Sequence, residues 1–183
     1  MSEVLAMPTS SMVPLAEYLQ TSYRPDRDWI DGEVKERNMG EGQHALIQAI
    51  LIEVFRHNRV IWGIRVLPEQ RVQVSETRFR IPDVCVARAS DPFERIVRVP
   101  PLLCVEILSW DDRMTEIQER VDDYFAMGVQ AVWVVDPRRR RAFAAGSGGF
   151  LYPERDALIV EATPVNVPVA EIFAELDELE RES

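Results

Sequence analysis

Apolar and polar positions follow two periods along this chain, and the local period assigns each element. Residues 78–87 (Arg-Phe-Arg-Ile-Pro-Asp-Val-Cys-Val-Ala) and 101–109 (Pro-Leu-Leu-Cys-Val-Glu-Ile-Leu-Ser) are rich in Val, Ile, Leu and Phe and bounded by turn residues. Each is therefore predicted as one largely buried strand. Residues 64–67, 71–75 and 131–135 are shorter runs of the same kind, with a turn at 76 and 77. Elsewhere the period is helical. Residues 41–58 place Ile47, Ile50, Leu51, Val54 and Phe55 on one face. Residues 111–127 do the same with Met114, Ile117, Val121, Tyr124 and Phe125, flanked by Arg113, Glu116, Arg120 and Asp123. Ser109 or Asp111 is placed to cap that helix, and Gly128 to end it. A short helix is expected at 15–19, and a hairpin at 29–34 around the Asp31-Gly32 turn. After residue 141 come a strand, a turn with Gly146, Gly148 and Gly149, further short strands and a helix over 169–179. No repeat or linker interrupts the series. The expectation is one domain over residues 1–183, with 1–12 and 180–183 frayed.

Composition narrows the class. The 183 residues are 46% hydrophobic and 28% charged, enough for one core. The formal net charge of −10 argues against a binder of nucleic acid driven by global charge. Half of that charge, −5, lies in residues 171–183, so the rest of the chain is less acidic than the total suggests. The two cysteines, Cys85 and Cys104, both fall in strand runs, and with His44 and His57 they show no zinc spacing. Buried free thiols are expected. No basic segment followed by an apolar one opens the chain, and no run of about 18 apolar residues occurs. These features predict a cytoplasmic protein with no membrane partner.

The chemistry concentrates in the two strand runs. Asp83 and Glu106 lie within apolar sequence, where a carboxylate is costly unless neutralised or hydrogen-bonded. Strand alternation puts Asp83 with Cys85 and Ala87, and Glu106 with Cys104 and Leu108. If the runs pair, both acids point to one side and repel unless a cation or proton lies between them. A divalent metal held by oxygen ligands is the simplest such cation. The alternative is that an arginine or backbone amides satisfy each acid. On the metal reading, removing one acid is not expected to destabilise the metal-free protein. His44, on the edge of its helix, fits either a bond to a backbone carbonyl or a site contact. Glu41 fits a first-turn acid or an accessory site residue. Arg138, Arg139, Arg140 and Arg141 form either a solvated hairpin turn or a phosphate-contacting patch.

Taken in order, strand-Pro82-Asp83, Glu106-Ile107-Leu108-Ser109, the helix after it, Gly128-Val129 and Val132-Trp133-Val134-Val135-Asp136-Pro137 resemble the Uma-two family of putative restriction endonucleases, in the PD-(D/E)XK nuclease superfamily. The Asp31-Gly32-Glu33 hairpin and the His44 helix match the family's opening, so the resemblance covers about residues 14–178. The Pro-Asp pair alone is a weak motif; the ordered set is specific. The resemblance implies an α/β fold: a restriction-endonuclease-like mixed β-sheet flanked by α-helices, with an extra N-terminal hairpin and C-terminal strands. It also implies a metal-dependent endonuclease that hydrolyses DNA phosphodiester bonds with Mg²⁺ or Mn²⁺. Asp83 and Glu106 match the motif acids, and with the Ile107 carbonyl they are the expected metal ligands. Two departures stand out. The superfamily's lysine, two residues beyond the glutamate, is Leu108 here. The family's own lysine, on the next helix four residues before a tyrosine, is Arg120 before Tyr124. Arginine matches phosphate well but stays protonated, so it cannot exchange a proton as lysine can. Arg120 could instead pair with Glu116. The departures favour a second reading, a catalytically weak or inactive module that binds nucleic acid or dimerises. A homodimer would suit two cuts on a duplex.

Overall fold

The computed structural model describes residues 12–37, 42–146 and 148–182. At its N-terminal end, Pro14 leads into α1 (Leu15–Gln20). Strands β1 (Asp28–Ile30) and β2 (Glu33–Lys35) are joined by Asp31 and Gly32, both at positive φ (50° and 96°). Two successive positive values give the tight hairpin turn that Asp-Gly favours. β1 also pairs with β5 (Arg78–Arg80), and β5 with β4 (Val72–Ser75), giving an antiparallel sheet in the order β2-β1-β5-β4. Tyr18, Trp29, Phe79 and Ile96 form its small core.

The expected single strand over 78–87 is in fact two. β5 ends at Arg80, and β6 (Val84–Arg88) begins in a different sheet. Pro82 sits between them; it has no N–H to offer a ladder and its φ is fixed, so the chain leaves one sheet there and enters the next. Asp83 thus stands at the mouth of β6 rather than inside it.

The second sheet has the order β10-β9-β8-β7-β6-β3, with β3 (Ile64–Pro68), β7 (Leu103–Ile107), β8 (Ala131–Asp136), β9 (Arg141–Ala145) and β10 (Leu151–Glu154). Among the described residues, β7 and β8 are its only parallel neighbours. A parallel pair needs a crossover, and α3 (Met114–Met127) supplies it. Alternation then sorts the side chains. Val84, Val86, Leu103, Val105, Ile107, Trp133 and Val135 pack with α2 (Gly42–Trp62) and α4 (Val169–Glu182). Cys85, Cys104, Leu108, Val132 and Val134 pack with Ile117, Val121 and Tyr124 of α3. The mixed sheet flanked by helices is the expected α/β fold, with β11 (Ala157–Ile159) and β12 (Asn166–Pro168) as a further hairpin.

Several boundaries differ from the periodicity. α2 runs on to Trp62 and α4 to Glu182, where amphipathic spacing fades before the hydrogen-bonded turns do. α3 starts at Met114, and neither Ser109 nor Asp111 caps it: its N-cap is Arg113, with no side-chain capping bond. Residues 109–112 instead close a turn in which the Asp112 carboxylate accepts the Ser109 N–H at 2.6 Å. Met114 consequently lies outside the core, 55% exposed. Gly128, at φ 101°, ends α3 as expected. Cys85 and Cys104 face each other across β6 and β7 as buried free thiols. Residues 1–11, Glu41 and Ser183 lie outside the described residues. No described helix is long and apolar enough to cross a membrane.

Candidate active site

The β6–β7 register pairs Val84 with Val105 and Cys85 with Cys104. Continued by one residue, it would set Asp83 opposite Glu106; Glu106 takes both its side-chain donors from α3, while Asp83 is reached by His44 of α2. Both are buried, 3% and 1% exposed. Asp83 Oδ2 accepts the Ile107 N–H at 2.7 Å and lies 3.3 Å from His44 Nε2. Its Oδ1 accepts from the Arg37 guanidinium. Its main-chain carbonyl accepts the Gln48 amide at 3.0 Å, so α2 holds the backbone here as well. Glu106 Oε2 accepts from Arg120 Nη1 at 2.9 Å, and Oε1 from the Tyr124 hydroxyl at 2.5 Å. Arg120 and Tyr124 are one turn apart on α3, so a single helix face supplies both donors.

The two acids differ electrostatically. Burial pushes the Asp83 carboxyl up, but His44, Arg37 and the Ile107 amide outweigh it and hold the pKa below the usual value. Glu106 goes the other way. Burial raises it and the Asp83 charge adds to that, against Arg120, Arg37 and the Tyr124 hydroxyl. Burial depresses His44, but its bond to Asp83 and the charge there prevail, and its pKa is raised. A second ring of charge fixes Arg120. Asp28 accepts Arg80 Nη1 at 3.1 Å and the Ile81 N–H at 3.0 Å, and lies 3.9 Å from Arg120 Nε. Asp123 of α3 holds Arg80 at 2.7 Å and Arg78 at 2.9 Å, tying the small sheet to the helix.

The fold therefore brings together Asp83, Glu106, Ile107, Arg120 and His44. Arg120 reaches Glu106 rather than pairing with Glu116. His44 faces Asp83 rather than a backbone carbonyl, because residue 44 lies on the inner edge of α2. The arginine run lies apart, on the β8–β9 turn. Arg140 binds Asp177 at 2.6 Å and Glu180 at 2.5 Å of α4. Arg139 donates its N–H to Asp136 at 3.1 Å, and Arg141 is exposed on β9. Arg138 lies 4.4 Å from the Trp110 ring centroid and lines a cleft with Gln43, His44, Leu108, Ser109, Trp110 and Pro137. Glu41 is outside the described residues. Sequence reasoning missed Arg37 and Asp28. Asp28 opens the short apolar strand β1 and is not enclosed by apolar sequence as Asp83 is. Arg37 carries no signal, since its partner is 46 positions away.

A divalent cation suits this donor set. Asp83, Glu106 and the Ile107 carbonyl offer only oxygen, the chemistry Mg²⁺ and Mn²⁺ select. Against that, Arg37 on Asp83 and Arg120 on Glu106 already supply the counter-charge that a cation would bring. Among the described residues no group of three His, Cys, Asp or Glu is placed to hold an ion, so the remaining positions would fall to the Ile107 carbonyl, water and substrate.

Comparison with known proteins agrees with this architecture. The profile of the Uma2 family, described as "Putative restriction endonuclease", matches residues 15–171. Among solved structures, the chain is similar to a putative nuclease belonging to DUF820 from Anabaena variabilis ATCC 29413. That likeness has a TM-score of 0.77 at 22% identity over 90% of this chain and 99% of that one, and it shows the shared fold. A cryo-EM DrdV–DNA complex overlaps 73% of this chain and 11% of that one, with a TM-score of 0.40 and 12% identity. No curated protein sequence matches the chain.

Proposed function

Because the chain belongs to the Uma2 family of putative restriction endonucleases, we propose that it is a metal-dependent endonuclease that hydrolyses DNA phosphodiester bonds in the cytoplasm. The observation that supports this best is the pair Asp83 and Glu106, buried side by side, with Arg120 reaching Glu106 from α3. Phosphodiester hydrolysis needs a nucleophilic water and neutralised phosphate oxygens, and a bound Mg²⁺ or Mn²⁺ supplies both. The chain's own residues prepare the site. The Ile107 amide and His44 fix the Asp83 carboxylate and keep it ionised. Tyr124 orients Glu106. Arg120, held between Glu106 and Asp28, places a permanent positive charge beside the acids, where developing phosphate charge would be stabilised. As a guanidinium it takes no part in proton transfer. Two copies of the chain would present two such sites to a duplex.

A second reading has a specific observation behind it. All four carboxylate oxygens of the acid pair already accept from protein donors, and the lysine positions hold Leu108 and Arg120. That pattern suits a catalytically weak or inactive module that binds nucleic acid or dimerises. Nicking of supercoiled plasmid with Mn²⁺ separates the two, with Asp83→Ala as the blank. Nicking by the native chain above that blank is expected. Retained DNA binding with no nicking above it would establish the second reading.

A further inference from the structure

Arg37 covers the acid that the proposed metal needs. Its guanidinium binds Asp83 Oδ1, and only 12% of the Arg37 side chain and 5% of the Asp83 side chain are exposed. The other Asp83 oxygen is taken by the Ile107 N–H and His44. An ion at Asp83 would therefore compete with Arg37 for the same carboxylate. Three features suit Arg37 to leaving. Its Nε is buried with no hydrogen-bond partner among the described residues, so its position is incompletely satisfied. It lies beyond the last β1–β2 register pair, Asp28 with Lys35, so its withdrawal breaks no strand ladder. Arg120, already committed to Glu106 and Asp28, repels it, while Asp83, Glu106 and Asp28 attract it. Arg37 thus holds by charge a place that a divalent ion would fill with more charge.

We propose that Arg37 is an exchangeable counter-ion: it neutralises Asp83 in the metal-free protein and gives way when a divalent cation binds. The proposal rests on the metal-dependent reading above. The displaced guanidinium stays beside the acid pair, where its fork can take a phosphate oxygen of the substrate. Arg37 is then a positioning residue that keeps two buried acids compatible with folding before metal arrives.

The test is Mn²⁺ binding by calorimetry, without DNA, on the native chain and on Arg37→Met, Arg37→Lys and Asp83→Asn. Arg37→Met should bind Mn²⁺ about ten-fold more tightly, since one charge-assisted bond no longer has to be broken. Arg37→Lys, a point charge without the fork, should fall between. Asp83→Asn should lose binding. The native chain gives a second readout, because Mn²⁺ should raise the phenylglyoxal reactivity of Arg37, followed by peptide mass spectrometry. This second measurement stands even if Arg37→Met fails to fold. Binding that depends on Asp83 but is equal or weaker in Arg37→Met, or an Arg37 reactivity unmoved by Mn²⁺, would overturn the exchange and leave the metal site standing. Absence of Mn²⁺ binding in every variant would overturn both.

Discussion

Asp83 is held by an amide, an imidazole and a guanidinium rather than pushed away by Glu106. This reverses the expectation that removing an acid would leave the metal-free protein unharmed. Asp83→Asn should destabilise it by about 1.5–3 kcal/mol at pH 7, the scale of hydrogen bonds to a charged group. The sign with pH follows from the direction of the shift. The folded pKa of Asp83 lies below its unfolded value, so its contribution is present above about pH 4 and is lost as pH falls through the folded pKa. Urea unfolding in EDTA should show a gap between the native chain and Asp83→Asn at pH 7 that closes as the pH drops below 4. An Asp83→Asn protein as stable as the native one at pH 7 would restore the repulsion picture. His44 works in the opposite sense. Its folded pKa is raised, so its share is full below about pH 6.5 and fades as pH rises through the folded value.

At the level of elements, α3 does two jobs. It closes the crossover between the parallel strands β7 and β8, and the same turn that packs Val121 and Tyr124 delivers Arg120 to Glu106. Spacing alone placed Arg120 at the border of the apolar stripe, outside the core. In the fold its side chain is only 12% exposed and lies between two carboxylates. Arg120→Ala should therefore lower both stability and activity. Leaving a buried charge without its partner costs about 3–5 kcal/mol. Loss of one electrostatic stabiliser lowers cleavage about a hundred- to a thousand-fold. Arg120→Lys should keep the charge and keep or raise Mn²⁺-dependent nicking. Thermal melts beside the nicking assay check both parts. Equal nicking by the native chain and Arg120→Ala, both above the Asp83→Ala blank, would reduce Arg120 to a structural cation.

Across the whole molecule, acids line α4 and arginines the β8–β9 turn that adjoins it. The solvent side of α4 exposes Glu171, Glu175, Glu178 and Glu182, and its Asp177 and Glu180 hold Arg140. Arg138 and Arg139 are exposed on the β8–β9 turn, and the cleft beside Arg138 and Trp110 runs to His44. Gln43 of that cleft donates to Glu180 at 2.7 Å, so the acidic helix borders it, and on the proposed function DNA would meet the turn through the exposed Arg138 and Arg139. The salt dependence of DNA binding, measured by anisotropy in EDTA, should report this. Arg138→Ala and Arg139→Ala should each reduce the log–log slope by about 0.9, the value of one lost phosphate contact. Arg140→Ala should leave the slope alone, because its guanidinium is already spent on α4. Unchanged slopes in all three would remove the turn from the DNA-facing surface.

By itself the sequence determined the elements and the acid pair. Strand and helix periods, the Asp-Gly turn and the Gly128 cap are local, and local chemistry decides them wherever the burial pattern is regular. Two carboxylates in apolar runs with matching alternation were legible for the same reason, whereas Arg120, one turn before Tyr124, was singled out by the family resemblance. Only the tertiary structure decided the rest. Pro82 divided one apolar run between two sheets, a choice that depends on which strands lie ready on either side. Asp28 and Arg80 became site-supporting residues only when β1 and β5 met α3. Arg37 became the cover on Asp83 across 46 positions of chain. No period records a pairing of that range, because a buried ion pair is fixed by where the backbone brings two charges after folding, not by the spacing of either one.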